Sequence, residues 1–345
     1  MVPVIAAQGA PRSSRSRVRR HGAAVRLSPT VPDLQSSALT VVRDCLAVKP
    51  GEDVLVVADD ATRDIAQALR DAARAQGADA VLTVMDERET DGSEPPPTVA
   101  AALAAADVFL APTSRSLSHT QARKAACDAG ARGATLPGVT ADMLARVMDA
   151  DMGLVRARSR AVATLLDAAD TARLRCPLGT DLAFDLTGRA GLPDDGDLSE
   201  PGAFGNLPCG EGFIAPLRGR GQLYATSVAA VGLADPPALL MVESGRLTGG
   251  FGPAADALLS RLRAHGELGT NLAELGVGTN ERATLTGNVL EDEKILGTVH
   301  VAFGASAGIG GTVSVPIHLD CVVLDATLDI GATRVLDAGR LVLEV

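Results

Sequence analysis

The chain has 345 residues, a formal net charge of −10 and 46% apolar residues, with no tryptophan, one tyrosine and six phenylalanines. The acidic balance argues against a nucleic-acid partner, whose phosphates need a basic face, and so few aromatics leave little for bases to stack on. No apolar run approaches the roughly 20 residues of a membrane span, so neither nucleic acid nor membrane is expected as a partner.

The length allows about two domains of ordinary size. The first 33 residues stand apart: Arg12, Arg15, Arg17, Arg19, Arg20 and Arg26 occur with no acid before Asp33. Such composition can mark a transit peptide. The Arg19-Arg20 pair lacks the apolar segment that export requires, so a disordered basic extension is expected over residues 1–33. Cys45, Cys127, Cys176, Cys209 and Cys321 are scattered, odd in number and form no CxxC pair. That reads as reduced thiols in a cytoplasmic protein.

Folded sequence is expected from about residue 34. Residues 35–48 have helical spacing, 53–58 (DVLVVA) form an apolar strand, 62–76 form an amphipathic helix ending at Gly77, and 80–85 form the next strand. Strand, helix and strand in so short a span make a βαβ unit, hence a parallel sheet covered by helices. Further alternation follows: helix 98–105, strand 107–111, helix 118–129, strand 132–136, and helices 140–149 and 155–169. His119 lies where a strand gives way to a helix, with Arg123 one turn on. It reads either as part of a ligand-binding sheet edge or as a surface histidine in a first helical turn. No GxGxxG follows the first strand, so dinucleotide binding has no support.

After residue 170 the texture becomes short strand-like runs separated by Gly, Pro and Asp, which suits an antiparallel sheet. One helix is expected at 254–265 and a long loop at 187–210. The fold class expected is therefore α/β: an N-terminal doubly wound parallel-sheet domain over 34–170, then a β-rich α+β catalytic domain over 171–345.

The stretch from Asn271 to Val323 concentrates the chemistry. Glu274, Glu291, Asp292, Glu293, His300, His318 and Asp320 lie in it among glycines. In a strand, residues two apart share a face, so His318 and Asp320 would present an imidazole and a carboxylate together. The acidic triplet could equally be the first turn of a helix running to His300. Glu211 sits between glycines just ahead of a strand. Taken singly each residue has an ordinary explanation. Together, two histidines and several acids fit a divalent-metal hydrolase, whose site lowers the pKa of bound water and polarises a carbonyl. There is no GxSxG elbow, P-loop or HExxH.

Four blocks, GEGFIAP (210–216), ELGVGTN (274–280), GNVLEDEKILGTVHVAFG (287–304) and IHLD (317–320), occur in the order found in a known family. With SLSHTQAR (116–123), they resemble the metallo-aminopeptidases of the aminopeptidase T and aminopeptidase S type, over roughly residues 38–345. The resemblance implies a dinuclear site holding two divalent metal ions, zinc or cobalt first and manganese or iron after them, in a homodimer acting on short peptides or aminoacyl amides. Matched residue by residue, the metal ligands would be Glu211, Glu274, His300, His318 and Asp320. Glu293 would be a further ligand or the general base, and Glu211 would share in catalysis. The large enzymes carry a tyrosine beyond the histidine matching His300. Here that region reads ASAGIGG, and the chain's one tyrosine is Tyr224. A second branch of the superfamily resembles ring-opening dioxygenases of dihydroxypyridines, which share the His-x-Asp pair, carry a histidine where Glu274 stands and bind one ferrous ion. With Glu274 and His300 the chain sides with the peptidases. His300, His318 and Asp320 alone would still form the two-histidine, one-carboxylate set of a non-haem iron oxygenase.

Overall fold

The computed structural model describes Met1 and residues 33–345, so the basic extension lies outside the described residues apart from its two ends. Residues 33–345 lie in one compact unit containing two sheets.

The first sheet starts with β1 (Asp53–Ala58), β2 (Asp79–Val84), β3 (Val108–Ala111) and β4 (Arg132–Thr135). Their order is β2-β1-β3-β4 and every pairing is parallel. Strands β1 and β3 are buried almost throughout, as β-branched and apolar residues must be when helices cover both faces. The helix Arg63–Ala75 buries Ile65, Ala66, Ala68, Leu69, Ala72 and Ala73, one stripe at helical spacing. The helix expected over 35–48 is Leu34–Leu39 followed by a π-helical stretch, Thr40–Cys45, which puts Val41, Val42 and Cys45 into the core.

Arg132 fastens β4 to the turn before β1. Its guanidinium is buried, pairs through both terminal nitrogens with Glu52 at 3.0 and 2.7 Å, and donates to the carbonyls of Leu46 and Ala47. Arg132→Ala removes the partner of both carbonyls and leaves Glu52 with only the Lys49 amide, and is expected to cost about 3 kcal/mol, the low end for breaking a buried pair. Urea unfolding measures this, and a loss under about 1 kcal/mol would mean that water replaces the pair.

The second sheet has thirteen strands among the described residues. In chain order they are β5 (Thr171–Arg175), β6 (Asp181–Asp185), β7 (Gly191–Asp194), β9 (Glu211–Ile214) and β10 (Arg218–Val228). Next come β11 (Gly232–Glu243), β12 (Arg246–Phe251), β13 (Leu272–Gly278), β14 (Val299–Gly304) and β15 (His318–Val323). Last are β16 (Thr327–Ile330), β17 (Thr333–Asp337) and β18 (Arg340–Leu341). All pairings are antiparallel, in the order β18-β17-β16-β5-β6-β10-β15-β14-β13-β9-β7, with β11 and β12 branching from β10. One strand is missing from that path. β8 (Phe204–Asn206) returns to the first sheet and pairs with β4 in parallel. The 187–210 segment expected as a loop thus supplies a strand to each sheet, through β7 and β8. These strands are short and rich in Gly and Asp, so nothing in their own pattern announces them. The helix Pro253–Arg263 falls where expected, and the fold is the expected α/β architecture.

Candidate metal centre

Four adjacent strands, β9, β13, β14 and β15, build the site. In an antiparallel pair, residues directly opposite each other lie on the same face. Glu211 faces Gly278, Gly276 faces His300, Glu274 faces Ala302, Ala302 faces Asp320, and Gly304 faces His318. All five expected ligands therefore share one face, interleaved with glycine and alanine. The other face carries Leu275, Val277, Val299, Val301, Phe303, Cys321 and Val323 into the hydrophobic core. Each such side chain contributes about 1.5–3 kcal/mol when fully buried. The apolar face fixes the register, and the register aims the ligands.

Small residues on the ligand face are a requirement of space. A Cβ added at Gly276 would stand 2.0 Å from His300 Nε2, so the imidazole lies directly over the glycine backbone.

The ligand atoms form two sets. Glu211, Glu274 and His300 make one, and Glu274, His318 and Asp320 make the other, with the atoms of each set within 4.8 Å of one another. Glu274 belongs to both: its Oε1 lies 3.3 Å from His300 Nε2 and its Oε2 lies 3.1 Å from His318 Nε2. Asp320 Oδ1 is 3.6 Å from His318 Nε2. His318 Nδ1 donates to the Ala305 carbonyl at 2.7 Å, which fixes the tautomer and leaves Nε2 to face the carboxylates. Ala305 belongs to the ASAGIGG segment that stands where the resemblance implies a tyrosine. Tyr224 lies on β10 beside Gly179.

The residues fit divalent ions. Glu211 Oε2 is buried and has no hydrogen-bond partner although His300 Nε2 is 3.0 Å away, and His300 Nδ1 is also buried and unpartnered. Carboxylates outnumber cations here, since Glu211, Glu274, Glu293, Asp320 and Asp194 face Lys294 and two imidazoles. Burial opposes charging of His300 and His318. The neighbouring carboxylates outweigh it and hold both imidazoles well above the usual histidine value. Ions must displace those protons, so affinity for divalent ions is expected to rise with pH across neutrality, with protons released on binding. Calorimetry in buffers of different ionisation enthalpy checks this, and a pH-independent affinity would contradict it.

The acidic triplet divides its work. Glu291 pairs with Arg146 and accepts from the Thr284 amide at 2.7 Å. Asp292 accepts from Ser227 Oγ at 2.6 Å and from the amides of Thr286 and Gly287 at 2.7 and 2.9 Å. These two brace the 281–288 loop, and only Glu293 turns to the site, where its Oε1 lies 2.9 Å from Lys294 Nζ. The helix expected from here to His300 is one turn, Val289–Asp292, and His300 stands in β14. Burial raises Glu293 to about 8, with Lys294 opposing the rise and Asp320 and Glu211 adding to it. At Glu211 burial is outweighed by Lys294 and His300, and the carboxyl falls to about 2.

Two site residues were missed in the sequence. Lys294 is 1% exposed and reaches Glu211, Glu293 and Asp194. Asp194 arrives on β7, directly opposite Glu211. Neither carried a sequence signal: a lysine after three acids has the pattern of a solvated charge run, and Asp194 lies in a segment expected as a loop. From the first sheet, His119 is solvent-exposed, and crowding by neighbouring atoms followed by the charges of His318 and Arg123 lowers its pKa. It therefore stands near enough to His318 for their charges to interact. Arg123 itself is engaged, with Nε donating to the Ser118 carbonyl and its guanidinium 4.1 Å from the Phe204 ring centre.

A carboxylate-rich, two-histidine cluster buried on one sheet face, in an α/β fold of this kind, defines a metal-dependent enzyme. The profile of the family described as "NicX: 2,5-dihydroxypyridine 5,6-dioxygenase" matches residues 34–343, and the chain belongs to that family. Among solved structures it is similar to 2,5-dihydroxypyridine dioxygenase from Pseudomonas putida KT2440, with a TM-score of 0.75, 20% identity, and 90% of this chain and 97% of that one covered. It is also similar to wild-type AmpT (aminopeptidase T) from Thermus thermophilus, with a TM-score of 0.66, 20% identity, and 90% and 99% covered. At such identities both likenesses speak to fold alone. No curated protein sequence matches the chain. The aminopeptidase likeness carried by the motifs thus holds for the fold, while the family is the dioxygenase one. Among the described residues no helix is long and apolar enough to cross a membrane.

Proposed function

We propose that the chain is a metal-dependent hydrolase that cleaves the amide bond at the amino end of short peptides or aminoacyl amides. The observation that carries this reading is Glu274, one carboxylate shared between two ligand sets. Sharing of that kind suits a pair of divalent ions. Glu211, Glu274 and His300 would hold one, and Glu274, His318 and Asp320 the other. Bound there, divalent ions supply Lewis acidity that activates water and polarises a carbonyl.

The remaining roles fall to the chain's own residues. Glu293, with Oε1 held by Lys294 and its pKa raised to about 8, can accept a proton from water at its other oxygen and return it to the leaving amine. His119, exposed and close enough to His318 for their charges to interact, can donate a hydrogen bond to the substrate. A panel of aminoacyl amides assayed with added zinc, cobalt or manganese should show turnover that depends on the ion. Glu293→Gln should lower that turnover at least about 100-fold, within the range for a general base, with metal content unchanged. A fully loaded chain with no amide turnover would overturn this reading.

A second reading has its own support. The family is the dihydroxypyridine dioxygenase one, and His300, His318 and Asp320 make a two-histidine, one-carboxylate set suited to ferrous iron. Oxygen uptake with ferrous iron and a dihydroxypyridine, without amide turnover, would establish it in place of the first.

A further inference from the structure

We propose that Lys294 is a resident cation that makes the two ion positions unequal: the position of Glu274, His318 and Asp320 fills first, and that of Glu211, Glu274 and His300 fills second and more weakly. This rests on the metal-centre reading and adds an order of filling to it.

Lysine is almost never fully buried unless paired, and Lys294 is paired three times. Its Nζ lies 2.6 Å from Glu211 Oε1, 2.9 Å from Glu293 Oε1 and 3.2 Å from Asp194 Oδ2. The contact to Glu211 is a hydrogen bond and the other two are ion pairs, so the ammonium is committed to these three carboxylates. The consequence falls on Glu211. One of its oxygens belongs to the ammonium, and the other, buried and unpartnered, points at His300. An ion held by that second oxygen would share a single carboxylate with a fixed positive charge. The other position has no such neighbour: among the described residues, Glu274 and Asp320 form ion pairs with His300 and His318 and with no lysine or arginine. Repulsion between an ammonium and a divalent ion a carboxylate's width apart is worth well over about tenfold in affinity, even at the high effective dielectric of a protein.

A purely structural lysine would act differently. It would stabilise the fold by neutralising Glu211, Glu293 and Asp194, yet leave the ratio of the two affinities unchanged on removal. The ratio is therefore the quantity to read.

The experiment is a calorimetric titration of the ion-stripped full chain with zinc, for wild type, Lys294→Met, Lys294→Arg and His318→Ala. Wild type should bind in two steps with dissociation constants at least about tenfold apart. Lys294→Met should bring them to within a few-fold, and Lys294→Arg should keep them apart. His318→Ala should remove the tight step and leave the weak one, which tests the assignment even if Lys294→Met does not fold. Equal affinities in wild type, an unchanged ratio in folded Lys294→Met, or loss of the weak step in His318→Ala would each overturn this inference alone. An absence of zinc binding in wild type would overturn the metal-centre reading and this inference with it.

Discussion

Glu274→Gln is expected to abolish the site as a metal centre. The amide keeps the size of the carboxylate but loses its charge and replaces one oxygen with an NH2 group. Because Oε1 and Oε2 face different histidines, at 3.3 and 3.1 Å, whichever way the amide turns, one ligand set receives a donor where it needs an acceptor. Both sets also lose the negative charge that they share. Affinity at each position should fall by more than about 100-fold, beyond the range typical of outer partners. Turnover should fall at least about 1000-fold, as expected when the residues of a metal centre act as a unit. The fold should survive, since the apolar face of β13 is untouched and the substitution relieves a crowd of buried carboxylates. Calorimetric titration beside thermal unfolding measures both. A variant that binds two ions normally would show that Glu274 is a bystander.

Gly276→Ala should have the second largest effect, although the residue has no side chain to contribute. Its Cβ would stand 2.0, 2.3 and 2.8 Å from three atoms of the His300 ring, and real contacts of that length do not occur. The ring cannot retreat, because His300 is 1% exposed and its strand is paired on both sides, to β13 and to β15. Either the imidazole leaves the ligand face or β13 shifts. Overpacking of this kind costs about 1–3 kcal/mol in stability. The larger expected result is loss of the Glu211, Glu274 and His300 position, with ion affinity there down by about 10–100-fold, as when an orienting partner is removed. Thermal unfolding with and without zinc separates the two effects. A variant stabilised by zinc as much as wild type would show that His300 is not a ligand.

Much of this was legible in the sequence, for physical reasons that differ by element. The βαβ start was readable because DVLVVA is a short continuous apolar run and the helix after it carries its apolar residues at helical spacing. The shared face of His318 and Asp320 was readable because residues two apart in a strand must lie together, whereas the full set of five candidate ligands came from the family resemblance. Lys294 and Asp194 were not readable. A lysine after three acids has the pattern of a solvated charge run, and only the pairing of β7 with β9 brings Asp194 opposite Glu211. The long segment 187–210 hid two strands because their stability comes from the neighbours they pair with. His300 was placed after a helix, whereas the chain turns at Gly297, where φ is +89°, and enters β14 instead. The choice between peptidase and oxygenase chemistry was the least legible part, since both use His318 and Asp320, and the difference lies in what the other ligands hold.

The most direct measurement is the metal content of the purified chain after equilibration with zinc, cobalt, manganese or ferrous iron, by elemental analysis, for wild type and His318→Ala. Two equivalents of one divalent metal in wild type, with the tighter lost in the variant, are expected. No retained metal in either protein under any of these conditions would contradict the metal centre itself.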